Sequence, residues 1–112
     1  MRDPLAVLDC RTLQARDVIA AEMRFPGELA PDCSFIAETL VGLPPKDPTS
    51  QKWFWLPKQE PHELLIMKLA DSAAETDPEM ASTCLHVSPQ IEGTEEEEPR
   101  FSIEARLHCF WD

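Results

Sequence analysis

Three histidines, His62, His86 and His108, are the side chains best suited to metal or acid–base chemistry in this sequence, and none stands in an HxD, HxE, HExxH or HxH pattern. His62 follows Pro61 and reads as a loop residue. His108 falls on the polar side of an alternating segment, where exposure or a hydrogen bond is the default. His86 lies between Cys84-Leu85 and Val87, close to an acidic stretch. Composition alone makes it an ordinary polar residue first and a metal ligand second. The six serines include no GxSxG elbow, and Gly27, Gly42 and Gly93 make no phosphate-cradling loop. Cys10, Cys33, Cys84 and Cys109 are 23, 51 and 25 positions apart, without CxxC or CxxH. Such spacing predicts reduced and mostly buried thiols rather than a disulfide framework.

Charge narrows the function further. The 112 residues carry 21 acids against 10 Lys plus Arg, a formal net charge of −11. No basic cluster exists that could neutralise phosphates, so nucleic acid and anionic membrane surfaces are excluded as partners. The acid excess is local: residues 75–98 hold eight acids and no Lys or Arg, leaving −3 for the rest of the chain. Residues 75–99 are therefore expected to be an acidic surface loop, solvated by its own repulsion. Its glutamate run lacks the spacing of a calcium loop. No run approaches 18 apolar residues, and Met1-Arg2-Asp3-Pro4 has no signal-peptide core, so the chain reads as cytoplasmic.

The elements that must position these groups are mainly strands. Residues 5–9 form a short apolar run after Pro4, ending at Cys10-Arg11-Thr12. Ala15 to Met23 suits either one short helix or an extended segment, and Phe25-Pro26-Gly27 ends it. Ser34 to Leu43 reads as a strand closed by the proline-rich stretch 44–48. Trp53-Phe54-Trp55 gives a strong β signal. Glu63 to Ala70 is a near-continuous apolar run that predicts a strand buried on both faces. Phe101 to Trp111 alternates most clearly, with Phe101, Ile103, Ala105, Leu107, Cys109 and Trp111 on one side. About five strands, 11 prolines and at most one or two short helices predict a mainly antiparallel β fold.

The order of Trp53-Phe54-Trp55, then Glu63-Leu64-Leu65-Ile66-Met67-Lys68, Asp71-Ser72, a histidine after a variable loop, and Arg100-Phe101-Ser102-Ile103-Glu104-Ala105-Arg106 resembles a known family. It is similar to the hydroxylase/desaturase family of fungal and bacterial natural-product biosynthesis, related to gibberellin desaturases and the small-subunit protein of cephalosporin methoxylation. Members read roughly W-Y-Y, E-x-L-L-I-K-x-x-D-S, P-H-T-A-F and R-x-S-I-E-x-R. Pro4-Leu5-Ala6-Val7-Leu8-Asp9, Asp17-Val18 and Phe25-Pro26 extend the likeness over nearly the whole chain.

The resemblance implies an iron(II)- and 2-oxoglutarate-dependent oxygenase on a double-stranded β-helix, that is, a jelly-roll or cupin-like fold. His86 would be the distal iron ligand, although Leu85-His86-Val87-Ser88 replaces P-H-T-A. Arg100 and Ser102 match R-x-S and would grip the co-substrate's distal carboxylate from one strand face. Glu104 and Arg106 share that face, which a Glu104–Arg106 contact, a β-bulge or Arg106 as the anchor would reconcile. Trp53, Phe54 and Trp55 would line or support a pocket for a small natural-product substrate. The family's HxD ligands belong upstream of the Leu5–Asp9 equivalent, so residues 1–112 are expected to be one partial domain, inactive alone and prone to self-association through an uncovered apolar face. The alternative from another class is a non-catalytic β-rich module that binds a small molecule or another protein.

Overall fold

The computed structural model describes residues 2–25 and 35–110 of the chain. Pro26, Gly27, Cys33, Ser34 and Trp111, which figure in the sequence reading, lie outside the described residues. The fold is mainly β. Among the described residues the five strands are β1 (Ala6–Leu8), β2 (Val18–Phe25), β3 (Phe35–Gly42), β4 (Trp53–Trp55) and β5 (His86–Val87). The helical elements among the described residues are three 3-10 turns, Cys10–Thr12, Ala15–Asp17 and Ser72–Glu75.

Two sheets result. The first has the order β4-β1-β5, with β1 antiparallel to both neighbours. Ala6 pairs with Trp55 and Val87, Val7 with Phe54 and His86, and Leu8 with Trp53. Paired residues project from the same side of a sheet. Ala6, Leu8, Trp53, Trp55 and Val87 therefore share one face, and Val7, Phe54 and His86 the other. The first face forms the core, where Ala6 and Leu8 are only 2% and 4% exposed. Asp9 stops β1 by turning the chain: its carboxylate accepts the Arg11 backbone N–H at 3.1 Å and caps the following turn.

The second sheet is the ribbon β2-β3, paired from Val18–Gly42 to Phe25–Phe35. Of Ala15 to Met23, open between helix and strand on composition, Ala15–Asp17 forms a 3-10 turn and Val18 to Met23 is extended because β3 supplies its hydrogen bonds. Glu22 faces Glu38 across this ribbon, and Arg24 Nη2 offsets the repulsion at 3.1 Å from Glu22. The two sheets meet where a Cβ on Gly42 would come within 3.2 Å of Leu85 Cδ1, so glycine permits that approach.

Two expected strands do not form. Residues 63–70 carry no strand, and Leu64 and Ile66 are 84% and 86% exposed. The segment is held by the Cys84 N–H donating to the Lys68 carbonyl at 2.7 Å, with no ladder around it. Burial on both faces needs layers on both sides, and the described residues supply neither. Residues 101–110 likewise carry no strand, with Ile103 100% and Phe110 92% exposed. Alternation creates strand-competent faces, but a strand takes its hydrogen bonds from a neighbour. The radius of gyration is 16.4 Å, against about 13 Å for a compact chain of this length.

The cysteine expectation also fails in part. Cys10 and Cys109 are exposed and only Cys84 is half-buried; all three are free thiols. Their segments pack on too little core to cover them. No helix among the described residues is long and apolar enough to cross a membrane.

Candidate functional site

His86 stands on the open face of the first sheet, opposite Val7, with Phe54 in the same row on the far strand. Its Nδ1 lies 3.0 Å from the Cys84 carbonyl oxygen. A carbonyl only accepts, so the neutral ring carries its proton on Nδ1 and leaves the Nε2 lone pair toward solvent. That tautomer suits ligation or proton acceptance at Nε2. His62 is an exposed loop residue with Nδ1 3.4 Å from Glu60 Oε2, and His108 is exposed within the unpaired segment 101–110.

Arg100 reaches the same sheet by a different route. Arg2 donates its backbone N–H to the Glu98 carbonyl at 3.0 Å and accepts from the Arg100 N–H at 3.2 Å, a parallel bridge centred on Arg2 and Pro99. Arg100 Nε then donates to the Asp3 carbonyl at 3.1 Å. The Ser88 hydroxyl, two residues beyond His86, donates to the same oxygen at 2.9 Å. Asp3 holds this carbonyl in place at a φ of 57°, a conformation a non-glycine residue adopts only when its surroundings enforce it. The Arg100 Nη groups have no partner among the described residues. Its half-buried guanidinium thus retains both donors of a carboxylate fork. In the acidic loop before it, Glu95 accepts the Gly93 N–H at 3.1 Å, and backbone hydrogen bonds from its own N–H and that of Gly93 hold its carboxyl below the usual range.

The structure therefore joins Arg100 to Ser88, two residues beyond His86, through the Asp3 carbonyl; neither Ser88 nor Asp3 stood out in the sequence. Ser88 had a signal, its spacing of two from His86; Asp3 had none, because its backbone oxygen does the work. Ser102 and Arg106 are not brought in. Both lie in the exposed segment, and Arg106 Nη2 pairs with Glu104 Oε1 at 3.4 Å. The aromatic trio divides between faces: Phe54 shares the open face with His86, while Trp53 and Trp55 project oppositely. Trp53 Nε1 donates to Gln51 Oε1 at 3.2 Å, and Trp55 lines a cleft of about 180 Å³ with Pro4, Lys58, Ile91 and Thr94.

A larger groove of about 440 Å³ escaped the sequence reading. Leu40 of β3, Leu69, Ala70, Asp71, Ser72 and Thr83 line it. Lys68 Nζ sits 2.6 Å from Asp71 Oδ2, and that hydrogen bond, with the Ala73 N–H as second donor, holds the Asp71 carboxyl below its usual range. Asp71 and Ser72, both motif positions, thus line the groove and start the 3-10 turn Ser72–Glu75, with Lys68 holding Asp71 in place.

As a metal site the described residues offer one imidazole. No group of three His, Cys, Asp or Glu side chains able to hold an ion occurs among them. The nearby Cys84 thiol is pushed up by burial, with the proximity of Cys10 adding to the effect, so it is a protonated thiol rather than a ready ligand. These residues do not by themselves fit iron.

A family profile described as "Oxidoreductase/YMDC permease-like domain" matches residues 1–110. The chain is 35% identical to the gibberellin cluster GA4 desaturase of Gibberella fujikuroi over 111 residues, covering 98% of this chain and 31% of that protein. It is 29% identical to the hydroxylase/desaturase CTB9 of Cercospora beticola over 114 residues, covering 98% of this chain and 33% of that protein. The chain thus spans about a third of the length of these curated relatives. No solved structure matches it. The profile match and the order of motifs together place the chain in the hydroxylase/desaturase family, through its oxidoreductase-like domain.

Proposed function

We propose that this chain is the β-rich part of an oxygen-dependent hydroxylase or desaturase that acts on a small natural product with iron(II) and 2-oxoglutarate, built on a double-stranded β-helix. The observation that carries this reading is an arginine with a free guanidinium fork that shares the Asp3 carbonyl with Ser88, two residues beyond an imidazole whose Nδ1 is engaged by the Cys84 carbonyl. Arg100 takes the distal carboxylate of 2-oxoglutarate by two parallel N–H···O bonds. His86 offers one lone pair to the metal, and Phe54 and Val7 make the apolar surface beside it. In this reading the remaining metal ligands and covering strands belong to polypeptide equivalent to the rest of the relatives' length, and residues 1–112 are a partial domain.

An NMR titration of the chain with 2-oxoglutarate tests the assignment. Saturable perturbation around Arg100 is expected, lost in Arg100→Leu and retained in Arg106→Leu. The reverse pattern assigns the anchor to Arg106 and overturns the role of Arg100; no saturable perturbation overturns the co-substrate reading. Anaerobic titration with iron(II) is expected to give weak, substoichiometric binding. Stoichiometric iron lost in His86→Ala would overturn the partial-site reading. One observation favours a second reading, a non-catalytic interaction module: the fully exposed, alternating segment 101–110.

A further inference from the structure

Residues 101–109 pair with nothing among the described residues, although the sequence is the clearest strand pattern in the chain. The last backbone hydrogen bond before the segment is Arg100 N–H to the Arg2 carbonyl. Beyond it Phe101, Ile103, Leu107 and Phe110 are all almost fully exposed, and the side-chain contact within it is the exposed Glu104–Arg106 pair. An unpaired strand with an apolar face is a template for another strand. What the template fits is written in its own residues.

Phe101-Ser102-Ile103-Glu104-Ala105-Arg106-Leu107-His108-Cys109 is complementary to itself when run antiparallel about Ala105. In that register Phe101 faces Cys109, Ser102 faces His108, Ile103 faces Leu107, Glu104 faces Arg106, and Ala105 faces its own copy. Every apolar residue meets an apolar residue on one face. On the other, two Glu–Arg pairs flank the axis. The neighbouring registers fail on elementary grounds. Slipping the sum of paired positions by one sets the apolar face against the polar one. Slipping it by two keeps the faces but centres the ribbon on Arg106 against Arg106, or on Glu104 against Glu104, and like charges directly opposite are destabilising. Among these neighbouring registers, the one centred on Ala105 satisfies both face and charge.

We infer that this segment is an isologous dimerisation strand whose occupant is a second copy of the same chain, joined by a two-fold axis at Ala105. The two strands form a ribbon of about 30 Å in which each closes one open edge of the other and supplies the backbone hydrogen bonds of that edge. The two intrachain Glu104–Arg106 contacts, one in each chain, exchange for two interchain ones. This inference depends on neither His86 nor Arg100.

Sedimentation velocity of the whole chain over a range of concentrations tests it, with hydrogen exchange read on the same samples. A concentration-dependent monomer–dimer equilibrium is expected, with amides of 101–109 gaining protection as the dimer fills. Glu104→Arg sets arginine against Arg106 twice, and Arg106→Glu sets glutamate against Glu104 twice. Each is expected to raise the dimer dissociation constant about tenfold. An equimolar mixture of the two variants is expected to recover association, because each then supplies the charge the other lacks. That recovery separates pairing between chains from any effect within one chain, and both substitutions lie on exposed side chains outside the core. A chain that stays monomeric, a dimer without protection of 101–109, or a mixture that fails to recover would each overturn the inference. A segment protected only on adding the longer relatives' other polypeptide would do so in favour of that occupant.

Discussion

The Ser88 hydroxyl and the Arg100 Nε–H donate to one oxygen, the carbonyl of Asp3, at 2.9 and 3.1 Å. A carbonyl oxygen has two lone pairs, and here both are used. The chain leaving β5 and the chain leaving the acidic loop are thereby fastened to the N-terminal segment at a single atom. Ser88, two positions after His86, and Arg100 are joined through that atom.

Ser88→Ala is expected to lower the unfolding free energy by about 0.5–1.5 kcal/mol, as loss of one neutral hydrogen bond does. Arg100→Met removes the other donor. Because the two share an acceptor, a double-mutant cycle in urea is expected to give a coupling energy of about 0.5 kcal/mol or more. Strictly additive losses would mean that the Asp3 carbonyl does not link them.

Leu8→Ala is expected to cost about 2–3 kcal/mol, near the lower end for a buried leucine, since the small core around it relaxes easily. Ile66→Ala, on an exposed side chain, is expected to stay within about 0.5 kcal/mol. Denaturant midpoints of the two variants make the comparison, and equal losses would place Ile66 in a core.

Asp9 gives the clearest pH dependence. The side-chain hydrogen bonds from Arg11, at 2.8 and 2.7 Å, outweigh the opposing effect of burial and hold its carboxyl down to about 2, from an ordinary 3.8. With the native value below the unfolded one, the contribution to stability is fully present above pH 3.8 and is lost as pH falls toward 2. A carbon-detected NMR titration should find the low midpoint, and Arg11→Ala should return it to the ordinary range. Asp47, held low by the backbone and hydroxyl of Thr49, and Asp71, held low by Lys68, add to the same acid sensitivity.

Thiol reactivity should follow exposure. Burial raises the Cys84 thiol, whereas Cys10 and Cys109 are open to solvent. In a mass-spectrometric time course with iodoacetamide at neutral pH, Cys10 and Cys109 are expected to alkylate before Cys84. Early modification of Cys84 would contradict its half-buried position between β5 and the Lys68 segment.

Local pattern alone located β1, β3 and β4, because each packs β-branched or aromatic residues into a few positions between turn-forming ones. It could not locate β5, where His86-Val87 is too short to show a period. For Ala15 to Met23 the same composition suits helix and strand, and the pairing with β3 made the choice. His86, Arg100, Ser102 and Arg106 were legible as candidates only through the order of motifs. That Arg100 is joined to Ser88, two residues beyond His86, while Ser102 and Arg106 stay detached, was not.

What the sequence by itself determined is therefore the β character of the chain, its charge map and its family, all properties of residue type and order. Only the tertiary structure decided which strand-competent segments became strands and which side chains met. The reason is physical: a strand's faces are set by its own alternation, but its hydrogen bonds belong half to a neighbour. Segments 63–70 and 101–110 have the first without the second.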